Sequence, residues 1–158
     1  MLFNAIKALI YGTGFVLFWW LIAVTVQRFD NKIGFSFPAW ALAAGVILVT
    51  AGGMIAIICV ATFVWKGNGT PAPFDPPREF VVTGPYKYVR NPMYLGAFLL
   101  IPGFALYRNS VSILGLWIFA IVLSHLFVVF FEEKRLEKRF GMSYLEYKKT
   151  VNRWIPKI

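Results

Sequence analysis

The chain of 158 residues has one cysteine, one histidine and seven acidic residues, and each scarcity removes a class of protein. A lone thiol, Cys59, forms no intramolecular disulfide, and inside an apolar run it serves packing. With a single histidine, His125, no Cys/His cluster has the spacing of a metal site, so no structural or catalytic metal is expected. No strand–glycine-rich loop–helix unit occurs, and Gly67-Asn68-Gly69 is too short for a nucleotide fingerprint, which excludes a Rossmann domain. Charge is sparse as well, at 15% of residues against 59% hydrophobic, with a mean hydropathy of +0.67. That is too apolar for an ordinary soluble domain.

The apolar residues fall in runs near the ~20 residues that a bilayer core requires. Residues 5–26 carry only Lys7, residues 39–65 carry no charge, and residues 111–131 are interrupted only by His125. Residues 92–107 make a shorter helix, about 24 Å long, expected to pair closely with 111–131 across the Arg108-Asn109-Ser110 turn. The first run is longer than a signal-peptide core and lacks its cleavage pattern, so it reads as a retained helix. The expected fold is an all-α integral membrane protein of about four transmembrane helices, the third short and kinked at Pro102, with amphipathic interfacial helices at the C-terminus. Residues 1–65 read as a scaffold pair and residues 66–158 as the catalytic region. Ala41/Gly45 and Gly52/Ala56 in the second helix are small-xxx-small pairs that permit close helix approach, as do Gly12 and Gly14 in the first. Trp19, Trp20, Trp40 and Trp65 fall toward the expected interfaces.

The formal charge of +9 would suit nucleic acid were it not so one-sided. Four spans place thirteen of the sixteen basic residues on one face and leave Arg28, Lys32 and Arg108 on the other. By the positive-inside rule the crowded face, with both termini, is cytoplasmic, and its partners are lipid head groups rather than nucleic acid. Oligomeric state has no signature.

The polar motifs sit on that face. Residues 66–77 are rich in Gly and Pro and form an extended loop, read either as a linker or as the wall of a pocket. Asn91-Pro92 reads as N-cap and first helical residue. Arg90 therefore stands at a helix start whose free N–H groups favour an anion. Met93, Tyr94 and Gly96 follow on the first turns. The last apolar helix runs on through Glu132 and Glu133 to Phe140 and stops at Gly141. Ser143-Tyr144-Leu145-Glu146 reads as a capping box opening a short helix. Leu136, Phe140, Tyr144, Tyr147, Trp154 and Ile155 make a tail expected at the lipid interface.

Glu132 and Glu133 point about 100° apart on a helix, so one faces the bundle and the other faces Lys, Arg or water. His125, Val129 and Glu132 would share a face looking inward, where polar groups are costly unless paired. His125 alone reads either as a hydrogen bond to a neighbouring helix or as a ligand contact. The Glu pair alone reads as a charge cluster ending the span. Beside Arg90 it reads as one wall of a pocket for a zwitterion, such as an amino-acid moiety.

The run Gly84-Pro85-Tyr86, Arg90-Asn91-Pro92-Met93-Tyr94-Leu95-Gly96, then Glu132-Glu133, Leu136, Phe140-Gly141, Tyr144, Tyr147 and Pro156 resembles the isoprenylcysteine carboxyl methyltransferase and phospholipid methyltransferase superfamily. The resemblance covers about residues 67–157. It implies S-adenosylmethionine (AdoMet) at the cytoplasmic membrane face and an amphiphilic acceptor reached from the bilayer: a phospholipid amine, a prenylcysteine carboxylate or a thiol. Arg90, Pro92 and Tyr94 match its Arg-His-Pro-x-Tyr segment, and Glu132 and Glu133 match its Glu-Glu pair. Asn91 departs from the histidine usual in the isoprenylcysteine branch, which weakens that branch. The implied cofactor residues are Tyr86, Arg90, Asn91, Pro92, Tyr94, Gly96, His125, Glu132 and Glu133, with Glu132, Arg90 and His125 nearest the chemistry. A sulfonium methyl is already activated, so the protein chiefly orients the reactants and excludes water. For an amine acceptor, Glu132 or His125 would take its proton. Two rival readings remain: an NADPH-dependent membrane reductase, and a non-enzymatic membrane subunit or small transporter.

Overall fold

The computed structural model describes residues 2–72 and 75–157; Pro73 and Phe74 of the 66–77 loop lie outside the described residues. The fold is all helical, with no strand among those residues. α1 is Leu2–Gln27, α2 a single turn at Asp30–Ile33, and α3 Trp40–Lys66. A long loop holding a 3-10 turn at Gly84–Lys87 leads to α4, Pro92–Tyr107. α5, Val111–Phe127, passes through a π-helical turn at Val128–Glu132 into α6, Glu133–Phe140, and α7 is Met142–Thr150. The stretches Leu2–Ile33, Trp40–Lys66 and Val111–Phe140 are long and apolar enough to cross a membrane, whereas α4 has 16 residues. α4 continues through Pro102 as one helix.

α4 packs against α5 across the short turn, and more extensively against α3. Glycine is the reason. A Cβ on Gly52 would lie 2.6 Å from the Gly96 carbonyl oxygen, and one on Gly45 would lie 2.7 Å from that of Gly103. The two pairs are seven residues apart on each helix, two turns along one face. Backbone therefore meets backbone, which in an apolar solvent supplies the dispersion contact that side chains cannot.

Polar ties gather the helix ends. At one end Arg108 donates to Gln27, the Asp30 Oδ1 caps α5 by accepting from Ser112 N at 2.8 Å, and the Asn109 side chain accepts from Phe37 N. At the other end Lys7 of α1 pairs with Asp75 at 3.1 Å and Asn4 donates to Asn68. The loop after α3 is folded back on itself: Gly67 O accepts from Arg78 N and Glu79 N, and buried Thr70 bonds Asp75 and Ala72. This second end carries the start of α4, the π turn, α6 and α7.

The C-terminal helices differ from expectation in two ways. Gly141, at φ +54°, ends α6 as read, but α7 opens directly on it at Met142 with no side-chain cap, so Ser143 is inside the helix and forms no capping box. Gly141 makes the corner itself by adopting the left-handed φ that costs other residues strain. Tyr144 and Tyr147 are buried rather than lipid-facing, packing edge-on against Phe80, while Leu145 and Ile155 are exposed.

The α3–α4 contact makes a clean comparison of adjacent glycines. Gly52→Ala should lower stability by about 1–3 kcal/mol through overpacking. Gly53→Ala, whose Cβ meets nothing within 4 Å, should be neutral or stabilising by up to about 1 kcal/mol. Thermal unfolding of both variants in one detergent measures the difference.

Candidate active site

Four segments meet at the start of α4. Arg90 enters first, its N–H bonded to Asn152 O at 2.8 Å and its side chain almost fully buried. Pro92 occupies the first helical position, as its fixed φ and missing N–H favour. Asn91 stands at the N-cap position but does not cap: its amide donates to the Arg153 carbonyl at 3.3 Å. The first-turn N–H groups of α4 thus have no side-chain acceptor.

The glutamate pair divides as its geometry demands, though both members find partners. Glu132 accepts from the Tyr94 hydroxyl at 2.9 Å. Glu133, 5% exposed, is enclosed by three cations: Arg153 at 2.6 Å, Arg90 at 3.2 Å and Lys148 at 3.4 Å. Arg153 is bidentate, with Nε on Oε1 and Nη2 on Oε2. Arg90 and Glu133 were expected to flank an open pocket; instead they are in contact. The remaining Arg90 donors, Nε and Nη1, are buried with no hydrogen-bond partner.

The π turn accounts for the register. Val128 and Glu133, five residues apart, are the buried positions, while Phe131 is exposed. An α-helical period would have placed the inward residues after Val128 at 131 or 132. The i→i+5 turn is rare, is concentrated at functional sites, and leaves no sequence signature. Of the expected inward line, Val129 and Glu132 are half-buried, but His125 is not. His125 lies on the exposed side, where its Nδ1 accepts from Trp154 Nε1 at 3.1 Å. That bond engages the Nδ1 lone pair.

The remaining predicted residues scatter. Tyr86 belongs to a core cluster with Cys59 and Val81, stacked on Phe63, and its carbonyl accepts from Tyr147 OH at 2.6 Å. Gly96 faces α3 and serves the helix contact. Burial raises the hydroxyl pKa of Tyr86 and Tyr147, and burial beside the Glu133 carboxylate pushes that of Tyr144 up to about 12. All three are neutral donors at any working pH. The hydrogen bond to Glu133 raises the Arg153 guanidinium further above its usual value.

Lys148, Arg153, Trp154 and the buried face of Tyr144 are the site residues that sequence reasoning missed. Trp154 packs against Tyr94, Phe98 and His125, with ring centroids 5.6–6.2 Å apart. Trp154 had been read only as an interfacial aromatic, and Arg153 only as one basic residue among many.

The model of the phospholipid methyltransferase family matches residues 40–143, well over half of the chain. The chain belongs to that family. The match begins with α3, includes Arg90, Tyr94, Glu132 and Glu133, and stops ahead of Tyr144, Lys148, Arg153 and Trp154. An uncharacterized protein of Haemophilus influenzae is 39% identical over 64 residues, 40% of this chain and all of that protein.

Buried charge makes Glu133 a stability test. Glu133→Ala leaves Arg90 buried and unneutralised, and should destabilise by about 3–5 kcal/mol, whereas Arg90→Met with Glu133→Leu should recover at least about half of that loss. Melting temperatures of the single and double variants check this.

Proposed function

We propose that this chain is an integral membrane methyltransferase that uses AdoMet to methylate an amphiphilic acceptor, in first place the amine head group of a phospholipid. The observation that carries the reading is Arg90: two buried donor nitrogens without partners, at the uncapped start of α4, beside the Tyr94–Glu132 pair. A carboxylate answers unsatisfied guanidinium donors, and a carboxylate side chain answers an ammonium. The amino-acid end of AdoMet carries both groups, so the residues fit it. Arg90 and the first turn of α4 would hold its carboxylate, and Glu132, oriented by Tyr94, its ammonium. When bound, AdoMet supplies an activated methyl group.

The protein's part is then alignment in a dry site. Tyr94, Phe98 and Trp154 give the neighbourhood an aromatic wall on which an amphiphile can lie. The family's phospholipid description supports an amine acceptor, and Asn91 in place of histidine argues against the isoprenylcysteine branch. The thirteen basic residues assigned to the site end support placing that end and both termini in the cytoplasm.

The test is transfer of labelled methyl from AdoMet to total membrane lipid by purified protein. Label in an amine head group is the expected result. Glu132→Gln should reduce kcat/KM at least about a hundredfold, roughly 2.7 kcal/mol of transition-state stabilisation. Base-labile label in a prenylcysteine, or label on a thiol, would replace the acceptor. Absence of both label and AdoMet binding would overturn the reading.

A further inference from the structure

Residues 151–157 contain no regular helix, yet they touch Arg90, Asn91, Tyr94, His125 and Glu133, five of the nine residues that the motifs singled out. Asn152 O accepts from Arg90 N, Arg153 O accepts from the Asn91 amide, and the Arg153 guanidinium holds Glu133. Trp154 donates to His125 and packs on Tyr94 and Phe98. A segment without a hydrogen-bonded ladder of its own keeps its place through such ties, backbone and side chain together.

We propose that this segment is a strap forming one wall of the ligand site, with Trp154 as the wall side chain and Glu133 as its anchor rather than as a ligand contact. The two adjacent glutamates then have separate duties. Glu132 is presented beside Tyr94, while Glu133 has its oxygens occupied by Arg153, Arg90 and Lys148 and offers no acceptor to a small molecule. Glu133 is a positioning residue that acts through Arg153 on Trp154, and through Arg90 on the start of α4. Trp154 in turn fixes Tyr94 edge-on, with ring planes at 89°, and so fixes the hydroxyl that orients Glu132. The assignment of ligand duty rests on the proposed methyltransferase reading; the anchoring does not.

Trypsin reads the anchor directly, because cleavage after Arg153 requires the guanidinium that Glu133 now holds. Release of the peptide 154–158 from detergent-solubilised protein is followed by mass spectrometry. Glu133→Gln should speed that release at least about tenfold, because cleavage follows the open population of the strap. Glu132→Gln should leave it within about twofold. Arg153→Lys, still a trypsin site but no longer a bidentate partner, guards against misfolding of the Glu133 variant and should also speed release. Equal release in the wild type, Glu133→Gln and Arg153→Lys overturns the strap.

The wall is read by binding of S-adenosylhomocysteine, measured calorimetrically. Trp154→Ala should weaken it about tenfold and Trp154→Phe, which keeps the ring, by less than about threefold, with little change in melting temperature. Unchanged affinity in Trp154→Ala overturns the wall. If the wild type binds no S-adenosylhomocysteine while the trypsin result holds, the strap stands and the methyltransferase reading falls.

Discussion

A carboxylate buried at the end of a helix bundle is tolerable only with cations around it, and three surround Glu133. Each comes from a different part of the chain: Arg90 from the loop before α4, Lys148 from α7, Arg153 from the segment beyond it. Removing a carboxylate from water costs several kcal/mol, which one exposed lysine would not offset. The three together, with a bidentate arginine, can. The ion cluster therefore dictates where the start of α4, α7 and the tail must lie relative to α6.

The glycine contact between α3 and α4 does a different job. It sets the depth and rotation of α4 against a long apolar helix, at backbone distance and without adaptable side chains between. Because Gly96 lies one turn beyond Pro92, locking it against Gly52 also locks the start of α4, and with it Arg90. Dispersion holds the helix in place and charge holds what surrounds its end; the site lies where the two constraints meet.

Much of this was legible in the sequence for specific reasons. Small residues at helical spacing marked the packing face of α3, Asn91-Pro92 marked a helix start, and adjacency alone required Glu132 and Glu133 to diverge. What escaped had no local signature. The i→i+5 turn at Val128–Glu132 is one such feature. The Asn91 amide follows the tail because of a carbonyl sixty-two residues away. Gly96 appeared in a motif with functional residues, and the motif could not show that its own duty is toward α3. Arg153 looked like every other cation of a strongly basic face, since partner choice is a property of distance.

The divided glutamates explain why a doublet is more useful here than one acid. A single glutamate serving both ligand and tail would release the tail whenever it engaged a ligand. On the proposed reading, adjacent positions, turned apart by the helix, let Glu132 exchange partners while Glu133 keeps the wall in place. The family match ends at residue 143, before Lys148 and Arg153, so the matched region supplies Glu133 and Arg90 but not the other two cations. The tail delivers a cation to Glu133 and a ring to Tyr94. Arg153 and Trp154 meet both demands with consecutive residues.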